Sequence, residues 1–200
     1  IYYNNSKGVF TDETPFGDEK EATISIVASD INLDGYIDLI LANRNKQPNR
    51  IYYGPSFSSS SVFGSGNDET RQVAIGDMDG DGVPDIVAVN IGEKNKIIYN
   101  DGRGNFIKSA AFGSSSNRTM SIALGDLDGD GDLDIVTGNS GSKNHYYINN
   151  NLKFRLNHFS ENDKITYGIT LGDLNNDGTL DIVESNSGDV NKIFFNKTQE

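Results

Sequence analysis

The chain has 200 residues, a formal net charge of −12, 22 glycines, 4 prolines and no cysteine or tryptophan. Such acidity argues against nucleic acid or anionic lipid as a partner, because phosphate recognition needs clustered Lys and Arg. Without cysteine there are no disulfides, and no stretch approaches the ~18 apolar residues of a membrane-spanning helix.

The first recognisable element, "IYYN" from Ile1, returns as "RIYYG", "KIIYN", "HYYIN" and "KIFFN". It reads as a short aromatic strand. Phe16 then opens a second marker, repeated at Phe63, Phe112 and Phe159 and followed by Gly17, Gly64, Gly113 and Ser160. A third marker lies 14 residues further on, an acidic loop beginning at Asp30, Asp77, Asp126 and Asp173. After each loop comes a β-branched run, as in "DIVAVN" or "DIVTGN". Unbroken apolar runs this short suit strands buried on both faces. No segment has sustained helical periodicity.

Each unit of 47–49 residues therefore predicts four short strands and no helix. That is the signature of a β-propeller blade. The expected fold is all-β, one propeller domain or segment over 1–200, built of four-stranded antiparallel blades. A partial blade occupies 1–17, repeats cover about 18–64, 65–113 and 114–160, and 161–200 lacks its last strand. Ends out of phase with the repeat, and a start at Ile1 without a leader, suggest a processed or partial chain. The expectation is about four blades of a larger ring, such as a seven-bladed one, with a compact four-bladed ring as the alternative.

Numbered from the first aspartate, loop positions 1, 3, 5 and 9 are Asp30, Asn32, Asp34 and Asp38 in the first copy. They are Asp77, Asp79, Asp81 and Asp85 in the second, and Asp126, Asp128, Asp130 and Asp134 in the third. In the fourth they are Asp173, Asn175, Asp177 and Asp181. Calcium takes 6–8 oxygen ligands, and short oxygen side chains on alternate residues converge on one ion if the backbone curls around it. Glycine at position 6 (Gly35, Gly82, Gly131, Gly178) permits the curl. Position 7 holds Tyr36, Val83, Asp132 and Thr179, an indifference expected of a carbonyl ligand. About four Ca²⁺ are expected, the two four-Asp loops binding more tightly than the two with Asn. An EF-hand is excluded because position 12 is Leu41, Ala88, Thr137 and Glu184, and its bidentate Glu is needed there in every copy.

The acidic loop closed by Asp at position 9, the "DIV" after it, and the Phe-Gly marker upstream of Gly-Asp resemble the FG-GAP or VCBS repeat. That family forms propellers of integrin α subunits, fungal lectins and bacterial surface proteins. The resemblance implies one calcium per blade, between strands one and two, and an extracellular or cell-surface setting. Ser29, Ser160, Asn32 and Asn175 depart from the pattern. The implied role is an adhesive or assembly module binding protein or glycan, with self-assembly an option. A lectin-like propeller is the alternative, and an accessory domain of a polysaccharide-active enzyme a weaker one. Catalysis is not expected: His145 and His158 sit at variable positions, and there is no nucleophile elbow or P-loop. Asn4, Asn117 and Asn196 lie in glycosylation sequons.

Overall fold

Short β-branched segments cannot satisfy their backbone alone and must pair sideways. The computed structural model describes residues 1–17, 20–160 and 164–197, and in it they pair as five antiparallel sheets. The first sheet is β1 (Tyr2–Asn4) with β2 (Phe10–Glu13). Blade 1 is β3 (Thr23–Ser29), β4 (Asp38–Asn43), β5 (Asn49–Tyr53) and β6 (Ser59–Phe63), hydrogen-bonded in that order. Blade 2 is β7 (Thr70–Gly76), β8 (Asp85–Asn90), β9 (Asn95–Tyr99) and β10 (Lys108–Phe112). Blade 3 is β11 (Thr119–Gly125), β12 (Asp134–Asn139), β13 (His145–Ile148) and β14 (Arg155–His158). Blade 4 comprises β15 (Thr166–Gly172), β16 (Asp181–Asn186) and β17 (Lys192–Phe194). There is no helix among the described residues.

Every blade is a meander, and the second strand is the buried one. All six residues of β8 and of β12 are buried. First strands pack in series, β3 on β7, β7 on β11 and β11 on β15. The apolar clusters lie between blades: Ile40 and Ile51 join Val73, Ile86 and Ile98, and Val87 and Ile97 join Ile122, Ile135 and Tyr147. The phenylalanine marker is an inter-blade contact. Phe112 meets Tyr147 edge-on at 5.2 Å, Phe16 meets Tyr52 at 5.4 Å and Phe159 meets Phe194 at 5.0 Å. The aromatic third strands thus fill the seams between blades, burying Tyr52, Tyr99 and Tyr147.

The glycine before the first aspartate has a packing cause. A Cβ on Gly76 would come within 2.6 Å of Leu133, and one on Gly125 within 2.7 Å of Leu180, each leucine on the following blade. In the first copy the following blade has Pro84 at the position of those leucines, and Ser29 takes the glycine's place.

Opposite the acidic loops the blades are stitched by buried amides. The side chains of Asn49, Asn95 and Asn144 donate to Thr70, Thr119 and Thr166 of the next blade at 2.8, 3.2 and 2.8 Å. The same asparagines accept the N–H of Asn43, Asn90 and Asn139 in their own blade.

Candidate metal centre: four acidic loops on one face

Each loop is curled by its own carboxylates. The position-1 aspartate accepts the N–H of the position-6 glycine in every copy, Gly35 to Asp30 at 2.9 Å, Gly82 to Asp77 at 2.8 Å, Gly131 to Asp126 at 3.0 Å and Gly178 to Asp173 at 3.0 Å. Those glycines have φ between 84° and 92°, with open space where a Cβ would stand, so the requirement is conformational. Position 4 also has positive φ, which the sequence reading did not anticipate. Gly80 and Gly129 meet it freely, whereas Leu33 and Asn176 hold φ 59°. For Leu33 the left-handed backbone costs about 1–2 kcal/mol.

Position 5 receives the N–H of position 7, from Tyr36 to Asp34, Val83 to Asp81, Asp132 to Asp130 and Thr179 to Asp177, at 2.8–2.9 Å. The backbone N–H of position 7 is therefore spent within the loop. Side chains at position 7 serve elsewhere: Tyr36 is exposed, the Thr179 hydroxyl donates to Asp177, and Asp132 accepts the N–H of Asn151 at 3.2 Å.

Position 9 is wholly buried in all four copies, with Asp38, Asp85, Asp134 and Asp181 at 0–1% exposure. One oxygen accepts the N–H of position 2 (Ile31, Met78, Leu127, Leu174) at 2.7–3.1 Å. The other accepts an N–H just past the third strand, from Gly54, Asn100, Asn149 or Asn196, at 2.8–2.9 Å. Burial raises the pKa of Asp38, and pushes those of Asp85 and Asp134 up to about 6, against these hydrogen bonds.

Position 3 separates the loops into two kinds. In the second loop one oxygen each of Asp77, Asp79 and Asp85 lies within 4.8 Å of the others, and in the third the same holds for Asp126, Asp128 and Asp130. Asp81 and Asp134 stand outside those trios. Oδ1 of Asp79 is buried with no hydrogen-bond partner, and burial followed by the Asp81 charge raises its pKa. A shielded anionic oxygen facing other carboxylates is what a hard cation would satisfy. The oxygen-only donor set fits calcium on the same ground. In the first and fourth loops the position-3 amide donates to the position-5 carboxylate, Asn32 to Asp34 at 3.0 Å and Asn175 to Asp177 at 2.8 Å. That bond relieves the repulsion internally, and no acidic trio forms among the described residues there. Glu184 is no twelfth-position ligand. It is buried and receives the side chains of Asn144 and Asn186 at 2.8 and 2.9 Å.

The model of the FG-GAP-like repeat matches residues 30–88, 77–137 and 126–184, each match running from one acidic loop into the strand after the next. The chain belongs to the FG-GAP-like repeat family. Among solved structures, the FG-GAP-like chain is similar to BBS1N in complex with ARL6DN, at 11% identity and TM-score 0.56, over 92% of this chain and 59% of that one. It is also similar to the V. cholerae biofilm matrix protein Bap1, at 24% identity and TM-score 0.50, over 82% of this chain and 28% of that one. Its span is thus less than two thirds of either structure's length. These likenesses bear on the fold. No curated protein matches.

Three asparagines of the FG-GAP-like face escaped the sequence reading as site residues: Asn100, Asn149 and Asn196. Each donates its side-chain amide to the position-2 carbonyl of the preceding blade's acidic loop: Ile31 at 2.5 Å, Met78 at 3.2 Å and Leu127 at 2.7 Å. Their signal was the Asn closing "IIYN", "YYIN" and "IFFN".

The histidines belong to the fold. His145 is buried beside Tyr147 and Asn139, with the ring of His158 4.9 Å away, and burial drives its pKa down to about 4. Equivalent positions in blades 1 and 2 carry ion pairs, Arg50 with Glu21 and Lys96 with Asp68 at 2.5 Å. In blade 3 Asn117 stands where the acid would be. A buried base with a depressed pKa stabilises the fold above its unfolded pKa near 6.5, and that stability is lost as pH falls toward 4. Wild-type protein is expected to lose about 3 kcal/mol over that window through this group, and His145→Gln to lose less. Urea unfolding at pH 7 and pH 4.5 measures the difference.

Proposed function

We propose that this chain is a calcium-stabilised interaction module, part of an extracellular or cell-surface propeller that binds protein or glycan rather than transforming a substrate. The observation that carries the reading is the unpartnered Asp79 oxygen within its trio of carboxylates. Family membership and the likeness to a biofilm matrix protein support the setting, where millimolar calcium would fill even modest sites. Asp77, Asp79, Asp81 and Asp85, with the carbonyl of Val83, would hold one ion. Asp126, Asp128, Asp130 and Asp134, with the carbonyl of Asp132, would hold a second. Calcium there would supply positive charge at the point where the carboxylates repel. The first and fourth loops would bind more weakly, since their amides are engaged and Leu33 and Asn176 hold left-handed backbone.

Isothermal titration with CaCl₂ is expected to show two sites about tenfold tighter than two others. Asp79→Asn and Asp128→Asn should merge the classes. Absence of binding at millimolar calcium would overturn the proposal.

A carbohydrate-binding reading has one observation in its favour. A cavity of about 680 Å³ opens between blades 2 and 3 where the ion pair gives way to His145 and Asn117. Phe112 and Tyr147 line it beside these polar groups, a mixture suited to a sugar ring. The same titration with soluble oligosaccharides tests it.

A further inference from the structure

The acidic loops are joined to one another by hydrogen bonds. Asp38 holds the Ile31 N–H, and the Ile31 carbonyl receives the Asn100 side chain. The N–H of Asn100 binds Asp85, which also holds the Met78 N–H. The Met78 carbonyl receives the Asn149 side chain, and the Asn149 N–H binds Asp134. Asp134 holds the Leu127 N–H, and the Leu127 carbonyl receives the Asn196 side chain. The Asn196 N–H binds Asp181 in the fourth loop. The line therefore runs unbroken from blade 1 to blade 4, alternating a loop's closing carboxylate with the next blade's asparagine.

Two features make this more than a row of contacts. Asn100, Asn149 and the first three closing aspartates are each no more than 4% exposed, so water offers little substitute for a lost bond. Ile31 and Met78, whose N–H and carbonyl both take part, are themselves buried at 0–1% between blades. Asn149 also donates to the Leu133 carbonyl at position 8 of the third loop, so one side chain grips two acidic loops. Asn100 does likewise with Ile31 and Pro84.

We propose that Asn100, Asn149 and Asn196 are positioning residues that couple the cation loops, so that filling one loop favours filling its neighbours. The inference rests on the calcium reading above. A cation that draws the closing carboxylate into one fixed position also fixes the N–H of the asparagine bound to it. The side chain of that asparagine then holds position 2 of the loop before. Each loop thereby arrives at its neighbour with part of the ordering cost already met.

The test follows amide hydrogen exchange of the peptide spanning 77–85 while Ca²⁺ is titrated. Wild type is compared with Asp128→Ala, which disables only the exposed part of the third loop, with Asn149→Ala, and with the double variant. The calcium needed for half-maximal protection of the second loop is expected to rise about fivefold in Asp128→Ala. It should rise similarly in Asn149→Ala, with little further rise in the double variant. Asp128 lies on the surface, so its substitution keeps the test meaningful should Asn149→Ala unfold. Unchanged protection of the second loop in Asp128→Ala would overturn the coupling while leaving calcium binding intact. Absence of calcium-dependent protection in any loop would overturn both.

Discussion

Excess EGTA is expected to lower the melting temperature by about 10–20 °C, and added calcium to restore it. Each site occupied at 100 times its Kd contributes ~2.7 kcal/mol to the folded state. The two four-Asp loops alone then contribute about 5 kcal/mol. For a chain of this size each kcal/mol moves the midpoint by ~2–4 °C. The direction follows from the empty-loop electrostatics. Burial pushes the carboxyls of Asp85 and Asp134 up to about 6 and raises that of Asp79, so at neutral pH the loops hold charge that the fold disfavours. A divalent cation reverses that penalty, and its removal restores it. Calorimetry or circular dichroism suits the measurement, the chain having no tryptophan. A melt indifferent to chelator would mean that the loops do not hold calcium.

The blades were legible in the sequence because three markers recur in fixed order and the strands between them are short and apolar. The second strands start at Asp38, Asp85, Asp134 and Asp181, where the acidic loop gives way to the β-branched run. The phenylalanine marker does not hold one place relative to strand ends: β6 and β10 finish on it, but β14 stops one residue before Phe159 and β2 three before Phe16. Its constant partner is an aromatic or apolar seam, and that contact does not require strand geometry. Loop positions 1, 5 and 6 were readable because their duties are local, involving an N–H within five residues. By its spacing position 9 is one ligand among four, yet its carboxylate also ties loop to third strand across 15–16 residues of sequence. Asn149 meets its carbonyl partner Met78 from 71 residues away. No spacing rule exposes such a pair until the blades are stacked, which is why these asparagines read only as the tail of an aromatic strand.

The double duty of position 9 predicts a dissociation between stability and calcium response. Asp134→Ala removes the acceptor for the N–H groups of Leu127 and Asn149, received at 2.7 and 2.8 Å in a site of 0% exposure. Two buried donors left unpaired cost about 1–3 kcal/mol each. Removing a carboxylate that burial disfavours returns part of that, so the net loss is expected to be about 3 kcal/mol in EGTA, and larger in calcium, where the third loop's ion is lost as well. Asp130→Ala should behave otherwise. Asp130 is exposed and accepts the N–H of Asp132 at 2.9 Å, a bond that water can replace. Its loss should cost under about 1 kcal/mol in EGTA, while abolishing the third loop's share of the calcium-induced stabilisation. Urea unfolding of both variants, with calcium and with EGTA, separates the two effects. If Asp134→Ala in EGTA were as stable as wild type, the closing aspartate would serve the cation alone, and the hydrogen bonds around it would contribute nothing to holding the blade together.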